Sequence, residues 1–132
     1  MNNKGFTVVE LLLVCSIIAM LTMVMIPNIK NVRNKSNEMA LKSNVFRLQT
    51  LLESYYLDNG HYLPDKATGA GLFEVFQEAG YITKIPKNPF TGQQFSIADS
   101  EGKITYTVEA ENYTLTAYKS DGTTILVQAD GG

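Results

Sequence analysis

Glu10 is the one charged residue in the apolar run over residues 6–26, FTVVELLLVCSIIAMLTMVMI. An ionised carboxylate near one end of such a run is costly to place in hydrocarbon. It needs either a cationic partner or a position at headgroup depth where water reaches it. Elsewhere, Asp99, Glu101, Asp121 and Asp130 fall in or near turns and offer the hard oxygen ligands that calcium takes. Acids are also common in turns that hold no ion, so these four are weak metal candidates. His61 is the only histidine, beside Gly60 in a loop, and reads as an ordinary surface residue. The serines and threonines therefore lack a base. Cys15, the only cysteine, lies within the apolar run, where it packs as a small hydrophobe and can form no intrachain disulfide. With no phosphate-binding loop, paired cysteines or nucleophile motif, the sequence argues against an enzyme and against a cofactor beyond calcium.

Residues 6–26 form a helix of roughly 30 Å at ~1.5 Å per residue, about the thickness of a bilayer's hydrocarbon core. A removed signal peptide would have a shorter apolar core followed by small residues; here Pro27 and Asn28 follow, so the run reads as a retained span. Lys4 favours a cytoplasmic amino terminus, but Lys30, Arg33 and Lys35 beyond the span outnumber it, and charge alone leaves topology open. Pro27 lacks a backbone donor and predicts a kink or loosened turn around Met23. Apolar residues then continue at helical spacing: Ile29, Val32, Met39, Phe46, Leu48, Leu51, Leu52, Tyr55 and Tyr56. The stripe broadens toward its end, which predicts docking on a head from about Val45. One helix of roughly 75 Å results, stopped at Asp58-Asn59-Gly60.

Residues 61–71 read as a loop. Leu72, Val75, Phe76 and Ala79, followed by Gly80, read as a short amphipathic helix, and residues 81–92 as a connector punctuated by Pro86, Pro89 and Gly92. Four strands are predicted over 94–98, 103–109, 113–119 and 123–128. Ile104, Tyr106 and Val108, and Tyr113, Leu115 and Ala117, alternate with polar neighbours and give the sheet one apolar face. The fold class is α+β: a long N-terminal helix whose C-terminal half packs on a small antiparallel sheet.

The chain has 132 residues and a net charge of −2, unevenly spread. Lys30, Arg33, Lys35, Lys42 and Arg47 face only Glu38 between residues 30 and 47, whereas residues 48–132 carry most of the acids. A basic stem bearing an acidic head suits attraction between identical subunits, or simply a solvated surface. Five cations spread along a helix do not make a nucleic-acid groove binder.

Lys4, Gly5, Phe6, Thr7 and Glu10 in KGFTVVE, followed by the apolar run and Pro27, resemble the class III signal of type IV pilins and of the related pseudopilins of type II secretion and competence systems. The segment AGYITKIPKNPFTGQQF resembles the stretch before the sheet in major pseudopilins. The resemblance implies that a prepilin peptidase cuts between Gly5 and Phe6 and methylates the Phe6 amino group. Glu10 would then pair with that amino group on a neighbouring subunit, and the helix upstream of Pro27 would be unwound in the filament. It further implies residues 1–5 as leader, 6–27 as transmembrane and assembly helix, 28–59 as an amphipathic helix continuing into the head, and 60–132 as an α+β head ending in a four-stranded meander.

The implied function is a structural subunit, a major pilin or major pseudopilin, polymerising through its N-terminal helix for secretion, DNA uptake, adhesion or motility. Partners would be further copies of the chain, the prepilin peptidase, an inner-membrane assembly platform and minor pilins or pseudopilins. The chain would wait in the bacterial cytoplasmic membrane, single-pass with its head outside, before joining an extracytoplasmic or surface filament. Calcium binding in C-terminal loops is frequent among major pseudopilins, though no clean match to that loop is present. Lack of a cysteine pair departs from many pilins and favours a pseudopilin or a disulfide-free pilin. Two other readings are a monomeric membrane-anchored binding module and an adhesin or nucleic-acid receptor.

Overall fold

The computed structural model describes residues 5–64 and 68–132, those at 25–28 only for their place in a helix. Helix α1 runs over Val8–Asn59 and α2 over Gly69–Glu78; strands follow at β1 Ile104–Glu109, β2 Asn112–Tyr118 and β3 Ile125–Gly131. The chain divides into two compact units, Met1–Lys35 and Ser36–Gly132.

In the first unit every described side chain through Val24 is exposed, with Phe6, Met20 and Val24 among the apolar ones. Two hydroxyls within this apolar stretch are satisfied by their own helix. Ser16 donates to the carbonyls of Leu12 and Leu13, and Thr22 to those of Ile18 and Ala19.

The second unit is built on the last part of α1. Leu41, Val45, Leu48 and Leu52 recur at intervals of four, three and four, and all four are fully buried. Docking thus begins a turn before the expected Val45, while Phe46, one residue out of phase with this stripe, is exposed. Facing the stripe are Leu72, Phe73 and Phe76 of α2, with Ile104, Tyr106, Tyr113, Leu115 and Ala117 of the sheet.

Helix α2 starts three residues before the expected Leu72, with Gly69, Ala70 and Gly71 buried. Their small size permits a close approach to β1: a Cβ on Gly69 would lie 2.4 Å from Ile104 Cγ2. At its other end, Tyr81 N–H bonds the Phe76 carbonyl and Gly80 N–H that of Gln77, with Gly80 at φ 83° and the Phe76 and Tyr81 rings 5.8 Å apart. That is a Schellman stop with its accompanying apolar contact.

The sheet is an antiparallel meander in the order β1-β2-β3. Thr105 pairs with Thr116 and Tyr106 with Leu115; Leu115 in turn pairs with Ala129, and a bulge interrupts β2–β3 at Ala117/Tyr118. The expected alternation holds in β1, where Ile104 and Tyr106 are buried between more open threonines. The fourth strand, at 94–98, is not formed. That segment holds a single bridge, Lys87 to Gln94, and then turns at Ser96.

Side chains explain the missing strand. Asn88, fully buried, donates to Asp99 Oδ2 at 3.1 Å and the Glu101 carbonyl at 2.8 Å, and accepts from Phe90 N–H at 3.0 Å. Asp99 also accepts from Ser96 N–H, so amides that a ladder would need are already engaged. The start of β3 is displaced for the same reason, because Asp121 accepts from the amides of Thr123 and Thr124.

Candidate functional site at the start of the long helix

Gly5 and Phe6 precede α1 and are exposed, Phe6 at 81 %. Thr7 and Glu10 then cap the helix reciprocally. Thr7 N–H donates to Glu10 Oε2 at 3.0 Å, and Glu10 N–H donates to Thr7 Oγ1 at 3.2 Å. Two of the helix's orphan donors are thereby satisfied, and a negative charge sits at the positive end of the helix dipole. Reading Glu10 only as a charge in an apolar run overlooks this. The Thr-x-x-Glu spacing ahead of the run is the available signal.

Helix α1 is continuous across Pro27. The Pro27 side chain lies outside the described residues, as do Met1 to Lys4, including Lys4 of the resemblance. Among the described residues one helix is long and apolar enough to cross a membrane, and the apolar window that qualifies it has none of its residues buried.

Of the other sequence candidates, Asp121 and Asp99 have their carboxylates taken up by local structure. Asp121 Oδ2 accepts the Thr124 hydroxyl, and the amides of Thr124 and Thr123 reach Oδ1. These bonds, the Thr124 hydroxyl first, hold its carboxyl down at about 2. Asp99 serves Asn88 and Ser96, while the Asp130 main-chain carbonyl accepts from Gln49. Among the described residues no group of three or more His, Cys, Asp and Glu side chains could hold a metal ion, so Asp99, Glu101, Asp121 and Asp130 are not gathered into a site. His61 packs edge-on against Tyr55 at 5.8 Å, and Cys15 is free and exposed.

Glu53, which the sequence does not single out, joins three elements. It accepts from Tyr62 at 3.2 Å and from Tyr113 at 3.1 Å, and the two rings stand 4.8 Å apart. Burial first, then Glu53, pushes both phenols above their ordinary range.

No protein-family model matches the chain, and no solved structure does. Curated relatives do match. The type II secretion system core protein G of Escherichia coli (strain K12) is 29% identical over 98 residues, 67% of this chain and 68% of the relative. That of Aeromonas hydrophila is 28% identical over the same shares. The type IV wide pilus major component PilA4 of Thermus thermophilus is 38% identical over 66 residues, 50% of each chain. With the amino-terminal resemblance, these similarities make the chain a homologue of the core protein G pseudopilins of type II secretion and of a type IV pilin.

Proposed function

We propose that this chain is a structural subunit, a major pilin or major pseudopilin. On this reading it is cut between Gly5 and Phe6, methylated on Phe6, and polymerised through its N-terminal helix into a type IV pilus-like filament. One observation carries the reading: within its own unit the apolar stretch from Val8 to Val24 is exposed at every described residue. Such a surface needs lipid first and other subunits afterwards.

Glu10 enters the lattice as a carboxylate already tolerated at a helix start. When a subunit joins, it exchanges the Thr7 amide for the methylated amino group of Phe6 on a neighbour. A cation at that point offsets the cost of burying the acid. The head remains outside the cytoplasmic membrane, and the prepilin peptidase, assembly platform and minor subunits act at the amino-terminal end. The role is assembly, in keeping with relatives whose names are those of a secretion-system core protein and a pilus component.

The test is the intact mass and amino-terminal sequence of the chain from membranes and from sheared surface material, for wild type and Glu10→Ala. Methylated Phe6 at the terminus and filaments from wild type alone are expected. An uncut chain confined to membranes, or abundant filaments from Glu10→Ala, overturns the reading.

A further inference from the structure

We infer that the β1–β2 turn, with Glu109 and Glu111 beside Asp130 of β3, docks on the basic stretch from Lys30 to Lys35 of a second copy of this chain. The inference deepens the filament reading, on which it rests, by naming one contact between subunits.

The two ends of the sheet differ in charge. Its flanking lysines stand where Ile104 pairs with Ala117: Lys103 lies 5.3 Å from the centre of the Tyr118 ring, and Lys119 pairs with Glu38 at 3.6 Å. At the other end Glu109 pairs with Asn112, and Thr114 with Asp130. Residues 104–118 and 120–132 contain no lysine or arginine. The α1 side chain bonded to Tyr113 at this end, Glu53, is a further acid. Glu109, Glu111 and Asp130 are exposed, and among the described residues their carboxylates have neither a hydrogen bond nor an ion pair. Asp99 and Asp121 are instead held by local amides.

Two open grooves meet at residues 112–114. One, of about 490 Å³, is lined by Asp130 and Gln128, and the other, of about 420 Å³, by Thr107 and Glu109. Each sets a carboxylate among hydroxyl or amide groups, a lining that takes a lysine or arginine side chain by charge-assisted hydrogen bonds.

The chain supplies such side chains itself. Residues 11–37 contain Lys30, Arg33 and Lys35 and no acid; all three cations are exposed, and none has an ion pair among the described residues. Lys30 and Arg33, three residues apart, share one side of α1. Lys35 lies about 200° round from Arg33 at ~3.6 residues per turn, so neighbours can approach this stretch from more than one direction.

Like patches oppose each other: turn against turn sets carboxylate on carboxylate, and stem against stem sets cation on cation. Turn on stem is the complementary pairing. It joins two different patches, the kind of contact that builds an open polymer wherever its rotation does not close a ring. A divalent cation is a poorer occupant, because among the described residues no group of three or more His, Cys, Asp and Glu side chains could hold one.

The test couples a zero-length cross-link with charge reversal. Sheared wild-type filaments are treated with a carbodiimide, which joins carboxylates to amines in contact, and the linked peptides are read by mass spectrometry. We expect Glu109, Glu111 or Asp130 joined to Lys30 or Lys35 in filaments, and not in the full chain dispersed in detergent. Glu109→Lys with Glu111→Lys, and Lys30→Glu with Arg33→Glu, should each cut filament yield about tenfold at unchanged membrane level. All four together should restore it to within about twofold, which a loss of folding cannot produce. Wild-type filaments whose turn acids are unlinked, or linked to other lysines or to another protein, overturn the contact and leave the filament reading standing. Reversals that leave the yield unchanged do the same. Cross-links equally abundant in dispersed chains place the contact within one chain and overturn it. A wild-type chain that forms no filaments removes the filament reading, and this contact with it.

Discussion

Tyr113 on β2 donates its hydroxyl to Glu53 on α1 at 3.1 Å, a bond between residues sixty positions apart in sequence. Tyr62 donates to the same carboxylate. Glu53→Ala leaves both phenols without their acceptor and should lower stability by about 1–3 kcal/mol. Urea unfolding of the detergent-solubilised full chain, followed by tyrosine circular dichroism, measures this. The pH dependence has a definite sign. Both phenols are raised in the fold, so their contribution is complete below about 10, the ordinary tyrosine value, and declines at higher pH as the unfolded chain ionises first. Tyr113→Phe should flatten that alkaline decline.

Asn88, in the connector over 81–92, ties down the segment after it, where the sequence predicts a strand at 94–98. Asn88→Ala empties a fully buried side-chain position and leaves the part-buried Phe90 amide and Glu101 carbonyl without this partner, at a cost of about 1–3 kcal/mol. Asn88→Asp keeps the shape but sets a second carboxylate against Asp99, where 3.1 Å now separates amide from acid. It should be destabilised at neutral pH and regain stability on acidification, whereas Asn88→Ala should show no such recovery. Equal behaviour of the two variants would assign the loss to packing.

The contrast between Asn88 and the hairpin shows what is legible in the sequence. Strands β1 and β2 and the Leu48 to Leu52 part of the core follow from apolar periodicity, which burial enforces, and the end of α1 from the Asp58-Asn59-Gly60 stop, with Gly60 at φ 76°. Residues 94–98 have strand-like composition, but side-chain bonds from Asn88 and Asp99 occupy the local polar groups, and no periodicity reports such bonds. Phe46 reads as part of the core stripe because it is apolar. Helical phase one residue after Val45 turns it outward, and phase decides where Leu41 alone would have marked the first contact. At the helix start, Glu10 is legible as an anomaly, whereas its bond to Thr7 requires reading a capping spacing inside an apolar motif.

Ala110 occupies the β1–β2 turn at φ 54°, the left-handed region that costs a non-glycine residue about 1–2 kcal/mol. It is exposed, and the flanking pair Glu109–Asn112 closes the hairpin around it. Glycine removes the strain but gives back part of the gain as unfolded-chain entropy. Ala110→Gly should therefore stabilise the chain by up to about 1 kcal/mol, seen as a higher urea midpoint at unchanged slope. A lower midpoint would show that the Ala110 methyl group contributes more than its strain costs.

Thr7 and Glu10 separate two roles that one substitution at Glu10 would confound. Thr7→Ala removes the hydroxyl that accepts the Glu10 amide but leaves the Glu10 carboxylate and its charge in place. Loss of such a cap costs about 1 kcal/mol. Hydrogen exchange of the first-turn amides in micelles should therefore quicken about fivefold in Thr7→Ala and return to the wild-type rate in Thr7→Ser. If the carboxylate serves a neighbouring subunit and the cap only starts the helix, Thr7→Ala should still yield filaments where Glu10→Ala does not. If the two variants fail alike and Thr7→Ser rescues the first, the reciprocal pair is itself the assembly-competent unit. Glu10 would then act through the helix start it shapes rather than through the charge it offers.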